Sequence, residues 1–233
     1  MIERLAALAA AAAVLPAHAL STGDLAFTSF NADEDGFSLV TFVDVAAGTT
    51  VFFSDNEWSG SSFNTGEGTL TWNSGAAAIA AGTVVRFSAV DGAAKAASVG
   101  TLTGAGDNGI NASNETIYAY LGTSTAQPSV FLAGVSSEGT TNLAPAGLAG
   151  GATAVVLTNS TDYAAYAGPR SGLASFDAYR ALVNDAANWS ILVGGDQAAM
   201  IPDTTAFTIA AVPEPGSYAM LLAGLSMLGI VAR

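Results

Sequence analysis

Two short acidic stretches carry the side chains best suited to chemistry: "NADEDG" from Asn31 to Gly36 and "SDNEW" from Ser54 to Trp58. Calcium takes roughly six to eight hard oxygens, and acidic loops between strands can supply them. Asp33, Asp35, Asp55 and Glu57 are therefore the candidate calcium ligands, with Asn31, Glu34 and Asn56 beside them. Neither stretch follows the EF-hand loop pattern, and acidic turns on an acidic protein are ordinarily just solvated. Paired carboxyls could instead hydrolyse a glycoside, which in a retaining enzyme needs them about 5 Å apart, a distance that chain spacing does not determine. Trp58, Phe63 and Trp72 near Asp55 and Glu57 could stack on sugars, although large aromatics of a β domain belong first to its core.

Much other chemistry is excluded. The chain has no cysteine, and its single histidine, His18, falls within residues 1–19, which read as a cleaved leader, so the mature body is expected to have neither. Nucleophilic cysteine, a Ser-His-Asp triad, imidazole acid-base catalysis and an ordinary zinc site all need thiolate or imidazole. From Leu20 to Ala211 there are 17 Asp and Glu against Arg86, Lys95, Arg170 and Arg180, a formal charge of −13. Such a surface repels nucleic acid and anionic lipid head groups and favours solubility or cation binding. The expected body is non-enzymatic, with no nucleic-acid partner and no cofactor other than the candidate calcium.

The elements that must position these residues read as strands. Nine runs are punctuated by Gly, Asn and Asp: Asp24 to Asn31, Phe37 to Val43, Thr49 to Asp55, Gly68 to Trp72, Thr83 to Val90, Thr116 to Leu121, Ser129 to Val135, Thr153 to Leu157 and Ala206 to Ala210. They are rich in Thr, Val, Phe and Tyr and short, which argues an all-β sandwich or barrel. Asp35-Gly36 and Asp91-Gly92 suit positive-φ turns. "VAAGTTVFFS" (Val45 to Ser54) and "IAAGTVVRFS" (Ile79 to Ser88) agree at seven of ten positions, 34 residues apart, one glycine turn used twice to launch a strand. A single helix is expected in "LASFDAYRALVND", capped by Ser175, with Asp177 in its first turn. Its apolar stripe of Phe176, Tyr179, Leu182 and Val183 should pack on a sheet edge, with Trp189 closing the cluster. Thr101 to Glu115, rich in Gly and Asn, reads as an exposed loop. The opening from Gly23 to Trp58 resembles lamin-tail-like, immunoglobulin-like sandwich modules, a likeness that implies a fold and no chemistry.

Both ends differ from this body. Arg4, an apolar stretch from Leu5 to Leu15 and the small-x-small trio Ala17-His18-Ala19 form the pattern of a secretory signal peptide, residues 1–19, cut by signal peptidase after Ala19. At the other end Pro213-Glu214-Pro215 precedes an uncharged run from Gly216 to Ala232 and then Arg233. As a helix those 17 residues would reach about 25 Å, close to the roughly 30 Å of a bilayer core. The prolines break the chain ahead of it.

"VPEPGSYAMLLAGLSMLGIVAR", residues 212–233, resembles the PEP-CTERM sorting signal of exopolysaccharide-producing Gram-negative bacteria. The resemblance implies recognition at Pro213, Glu214 and Pro215 by exosortase, a sorting enzyme of the inner membrane. It also implies transient anchoring by a helix over 216–232 with Arg233 as its basic end, then release of the body (residues 20–211) to the envelope or an exopolysaccharide or biofilm matrix. One departure is that the family usually ends in several arginines, where this chain has one. A secreted carbohydrate-active enzyme and a permanently anchored adhesin are the alternatives.

Overall fold

The structure, a computed structural model, describes residues 19–210. In chain order the strands are β1 (Leu25–Asn31), β2 (Gly36–Thr41), β3 (Thr50–Ser54), β4 (Thr69–Asn73), β5 (Val84–Ser88), β6 (Ala96–Ala97) and β7 (Thr101–Ala105). There follow β8 (Thr116–Ser124), β9 (Gln127–Ser136), β10 (Ala154–Val156), β11 (Tyr163–Tyr166), β12 (Ser171–Leu173), the helix α1 (Phe176–Val183), β13 (Trp189–Leu192) and β14 (Thr208–Ile209). Two six-stranded sheets form, ordered β13-β11-β1-β2-β5-β6 and β10-β9-β8-β3-β4-β7, with β12 and β14 as a separate small pair. The architecture is all-β with one short helix, as the strand-length apolar runs require.

The core is an aromatic stack between the sheets. Phe37 and Phe87 of the first sheet lie 4.9 Å apart and each meets Phe53 of the second at 5.1 Å. Phe27 and Trp72 extend the stack on either side. The central strands β1 and β2 are buried along their whole length because their outer face is covered too. α1 and the last described segment lie on that side: Phe207 is buried against Phe42, Tyr166 and Tyr179.

The sequence echo has a structural meaning. Val45 and Ile79, the first residues of the two copies, pair with each other through reciprocal backbone hydrogen bonds of 2.8 and 2.9 Å. Gly48 and Gly82 both turn at positive φ, 72° and 87°. Thr49 and Thr83 both donate through Oγ1 to the carbonyls of Ala46 and Ala80, each at 2.7 Å. The copies then part, one entering β3 of the second sheet and the other β5 of the first. Phe53 and Phe87, equivalent in the echo, meet in the core.

The two glycines differ in what surrounds them. A Cβ on Gly48 would meet nothing within 4 Å, whereas one on Gly82 would lie 2.1 Å from the carbonyl oxygen of Phe207. Gly48→Ala should therefore cost only the strain of positive φ, on the order of 1 kcal/mol. Gly82→Ala adds a backbone clash, and its denaturation midpoint should fall well below that of Gly48→Ala; equal midpoints would mean that Phe207 does not seat there.

Helix α1 begins at Ser175, whose side chain accepts from the Ala178 amide, and Asp177 stands in its first turn as expected. Tyr179 and Val183 are fully buried, Phe176 and Leu182 pack on the core, and Trp189 donates from Nε1 to the Val183 carbonyl at 2.7 Å.

Two expectations need correction. Of the loop expected over Thr101 to Glu115, Thr101 to Ala105 is instead strand β7, mostly exposed and paired antiparallel with β4, while 106–115 holds no strand. In the Asp91-Gly92 stretch the positive φ falls on Ala89 instead (48°), while Asp35 does turn at 54°. β11 and β13, too alanine-rich or too short to show as apolar runs, complete the first sheet.

Candidate functional site

The acidic loops fold into one pole of the sandwich, and their carboxylates are engaged rather than simply solvated. Successive backbone amides of the segment after β7 are each held by a carboxylate from a different place. Asn108 N donates to Asp91, Gly109 N to Asp107, Ile110 N to Asp35 at 2.8 Å and Asn111 N to Glu115 at 2.8 Å. Beneath them Asp55 accepts from Gly68 N at 3.0 Å. Gly68 is required there, since a Cβ would come within 2.4 Å of Asn108 Oδ1 and the Asp107 carbonyl. The Asn31 side chain caps the β1–β2 turn by accepting from the amides of Asp33 and Glu34.

Burial dominates the electrostatics of this pole. Asp55 is 8% exposed and its carboxyl is pushed up to about 7, first by desolvation and further by the charges of Glu67 and Asp107. Glu115 is 2% exposed and is pushed up to about 8, by desolvation and then by Asp55 and Glu67. Asp35 and Glu67 are raised for the same leading reason. Asp55 borders a cavity of about 10 Å³ lined also by Phe37, Phe53 and Ile117, room for about one water molecule.

The four candidate calcium ligands are placed as follows. Asp33 accepts from the Gln197 amide at 2.6 Å, Asp35 and Asp55 hold Ile110 and Gly68, and half-buried Glu57 stands at the end of β3, its own amide bonded to Asn64. Among the described residues no three acidic or imidazole groups gather as a metal-holding set.

The aromatic candidates separate. Trp72 is 1% exposed in the core and donates to the Val99 carbonyl. Trp58 and Phe63 lie on the outer face of the second sheet, half-buried and 5.0 Å apart, joined by a β-bridge and packed against Phe131 and Tyr120. Glu57, Glu67 and Glu138 lend this side negative charge, and Glu138 and Glu57 add to the burial that raises the Tyr118 phenol.

The third feature, invisible in the sequence, is the way the chain leaves the body. Arg170 closes over the segment from Asp203 to Phe207. Its Nε meets Asp203 at 3.0 Å, Nη1 and Nη2 donate to the carbonyls of Thr205 and Asp203, and the guanidinium lies 4.7 Å above the Phe207 ring. Asp203 is held below the usual carboxylate range, by Thr205 first and Arg170 second. Further on, Phe207 N donates to Gly82, Thr208 N to Arg170 and Ala210 N to Leu173 at 2.7 Å. The only forewarning is the rarity of arginine in so acidic a body.

The described residues thus form a β-sandwich body that Arg170 and Phe207 close near its end. Residues 211–233 match the family described as the PEP-CTERM protein-sorting motif, so the chain carries that motif, which supports an exported protein targeted by an exosortase-type sorting enzyme. No curated protein and no solved structure matches the chain. Pro213, Glu214, Pro215 and Arg233 fall inside the matched stretch. With the expected helix over 216–232 and Ala17 of the signal-peptide site, they lie outside the described residues; Ala19 is the first of these and is exposed. Among the described residues no helix is long and apolar enough to cross a membrane.

Proposed function

We propose that the protein is a non-enzymatic extracellular module. It is exported behind a cleaved signal peptide, held briefly in the inner membrane by its tail and released by exosortase into the envelope or an exopolysaccharide matrix. The observation that carries this reading is the sorting motif itself, which occupies residues 211–233 and follows the last strand of the described body, β14. The non-enzymatic part draws on the make-up of the body, which from Leu20 to Ala211 has neither cysteine nor histidine. Retention by polysaccharide draws on half-buried Trp58 and Phe63; the acidic groups near them favour a neutral glycan over an anionic one.

Mass spectrometry of the exported protein tests the reading. The expected mature form begins at Leu20 and lacks Arg233, and it co-sediments with the producing cells' polysaccharide without releasing reducing sugar. An exported form that still ends in Arg233 would sink the sorting proposal, and sugar release abolished by one Asp or Glu substitution would favour the enzyme.

A further inference from the structure

A recess of about 230 Å³ opens where the end of α1 meets the turn ahead of β10. Gly150 and Gly151 of that turn, Val156 of β10, Thr140, and Asn184 and Asp185 just past α1 wall it. At roughly 30 Å³ per water molecule it has room for several waters or one small solute.

Asn184 is 1% exposed. Its Nδ2 donates to the carbonyl of Ala152, in the same turn, at 2.8 Å and to that of Arg180 at 3.0 Å, and two acceptors on one arm fix which way the amide is turned. Oδ1, on the other arm, accepts from nothing. Native folds keep few buried acceptors in that state, because leaving one unpaired is destabilising, and where one borders a recess a bound molecule can supply the donor. Oδ1 lies under the surface, so a donor reaches it as the glycine wall shifts. Gly151 leaves room for that, since it turns at a φ of 80° with nothing within 4 Å of where a Cβ would stand.

The rest of the lining selects the same kind of partner. Asp185 presents an exposed carboxylate, one oxygen of which accepts from the Ala187 amide at 3.0 Å. The C-terminal end of α1 is the negative end of its dipole, and the whole body carries excess negative charge. Val156 and Ala186 add apolar surface for a carbon body. A metal ion fits poorly, since calcium gathers roughly six to eight oxygens and this lining holds a single carboxylate.

We propose that this recess binds a small primary ammonium, carried by a simple amine or an amino sugar, which donates to Asn184 Oδ1 and to the Asp185 carboxylate. The inference goes beyond the sorting reading and stands or falls independently of it.

Two-dimensional NMR of the full-length chain in neutral detergent and slightly acid buffer tests it. The Asn184 side-chain amide is followed while putrescine or glucosamine is added, with glucose and calcium chloride as controls. The signal should move saturably with at least one amine, at a Kd on the order of 1–10 mM, and the amine that binds identifies the source of the ammonium. Asp185→Asn keeps an oxygen for the Ala187 amide and removes the charge, so binding should weaken about tenfold. Thr140→Phe fills the recess from an exposed position without touching either Asn184 hydrogen bond, and should abolish binding. No shift with either amine, an equal shift with glucose or calcium, or amine binding unchanged in both variants would overturn the proposal. Should Asp185→Asn fail to fold, Thr140→Phe decides by itself.

Discussion

Replacing Phe87 by alanine should remove about 3–5 kcal/mol of folding stability, the usual range for emptying a fully buried aromatic site. Phe87 has no exposed surface, and its ring touches Phe37, Phe53 and Trp72 at centroid distances of 4.9, 5.1 and 5.6 Å. Those neighbours come from both sheets, so the cavity would open where the layers meet and neither layer could collapse into it alone. A chain without disulfides has only its core to resist this, and domains hold about 5–15 kcal/mol in total. Urea unfolding measures the loss. Phe87→Leu, which restores most of the volume, should recover more than half of it; a loss below about 1 kcal/mol for alanine would mean that the sheets do not pack through this stack.

Acidification should stabilise the protein between about pH 8 and pH 5. Asp55 and Glu115 have folded pKa values of about 7 and about 8, above the ordinary carboxylate range they return to on unfolding. Below the ordinary range both states bind the proton and the stabilising effect is complete. As pH rises, the unfolded chain releases its protons first, and the effect is lost progressively until the folded groups ionise. Each group that stays protonated only in the fold contributes a slope of up to about 1.4 kcal/mol per pH unit. The melting temperature should therefore fall from pH 5 to pH 8. Asp55→Asn, which keeps an oxygen for the Gly68 amide and never ionises, should flatten the profile and melt above wild type at pH 8. A wild-type melting temperature that rises over this interval would show that both carboxylates ionise within the fold at little cost.

The strands that were legible in the sequence are those with apolar runs: all nine contain observed strands, and the helix was signalled by a serine cap ahead of a regular stripe. β7, "TLTGA", was hidden because alternate threonines at a sheet edge face solvent and look like loop. β11 was hidden by alanines, whose small side chains carry little apolar signal although Ala164 is fully buried. Its partner β1 is remote in sequence, and such pairing comes from topology rather than local pattern. The acidic stretches were recognised but their role was not. A carboxylate that caps a distant amide, as Asp35 does for Ile110, has the same local sequence as one that faces water. The sorting motif was fully legible because recognition there is linear, carried by residue order and not by folding.

The seating of Phe207 has a consequence in time. An exported chain crosses the membrane from its N-terminus, so the strands of both sheets are outside before the last segment emerges. Phe207, 2% exposed and covering the outer face of the first sheet, is among the final residues of the described body, nine positions before the run at Gly216. The outer face of the first sheet is thus covered only after the residues of both sheets have been made, so a chain stopped short of Phe207 would leave Phe42, Tyr166 and Tyr179 without their aromatic partner.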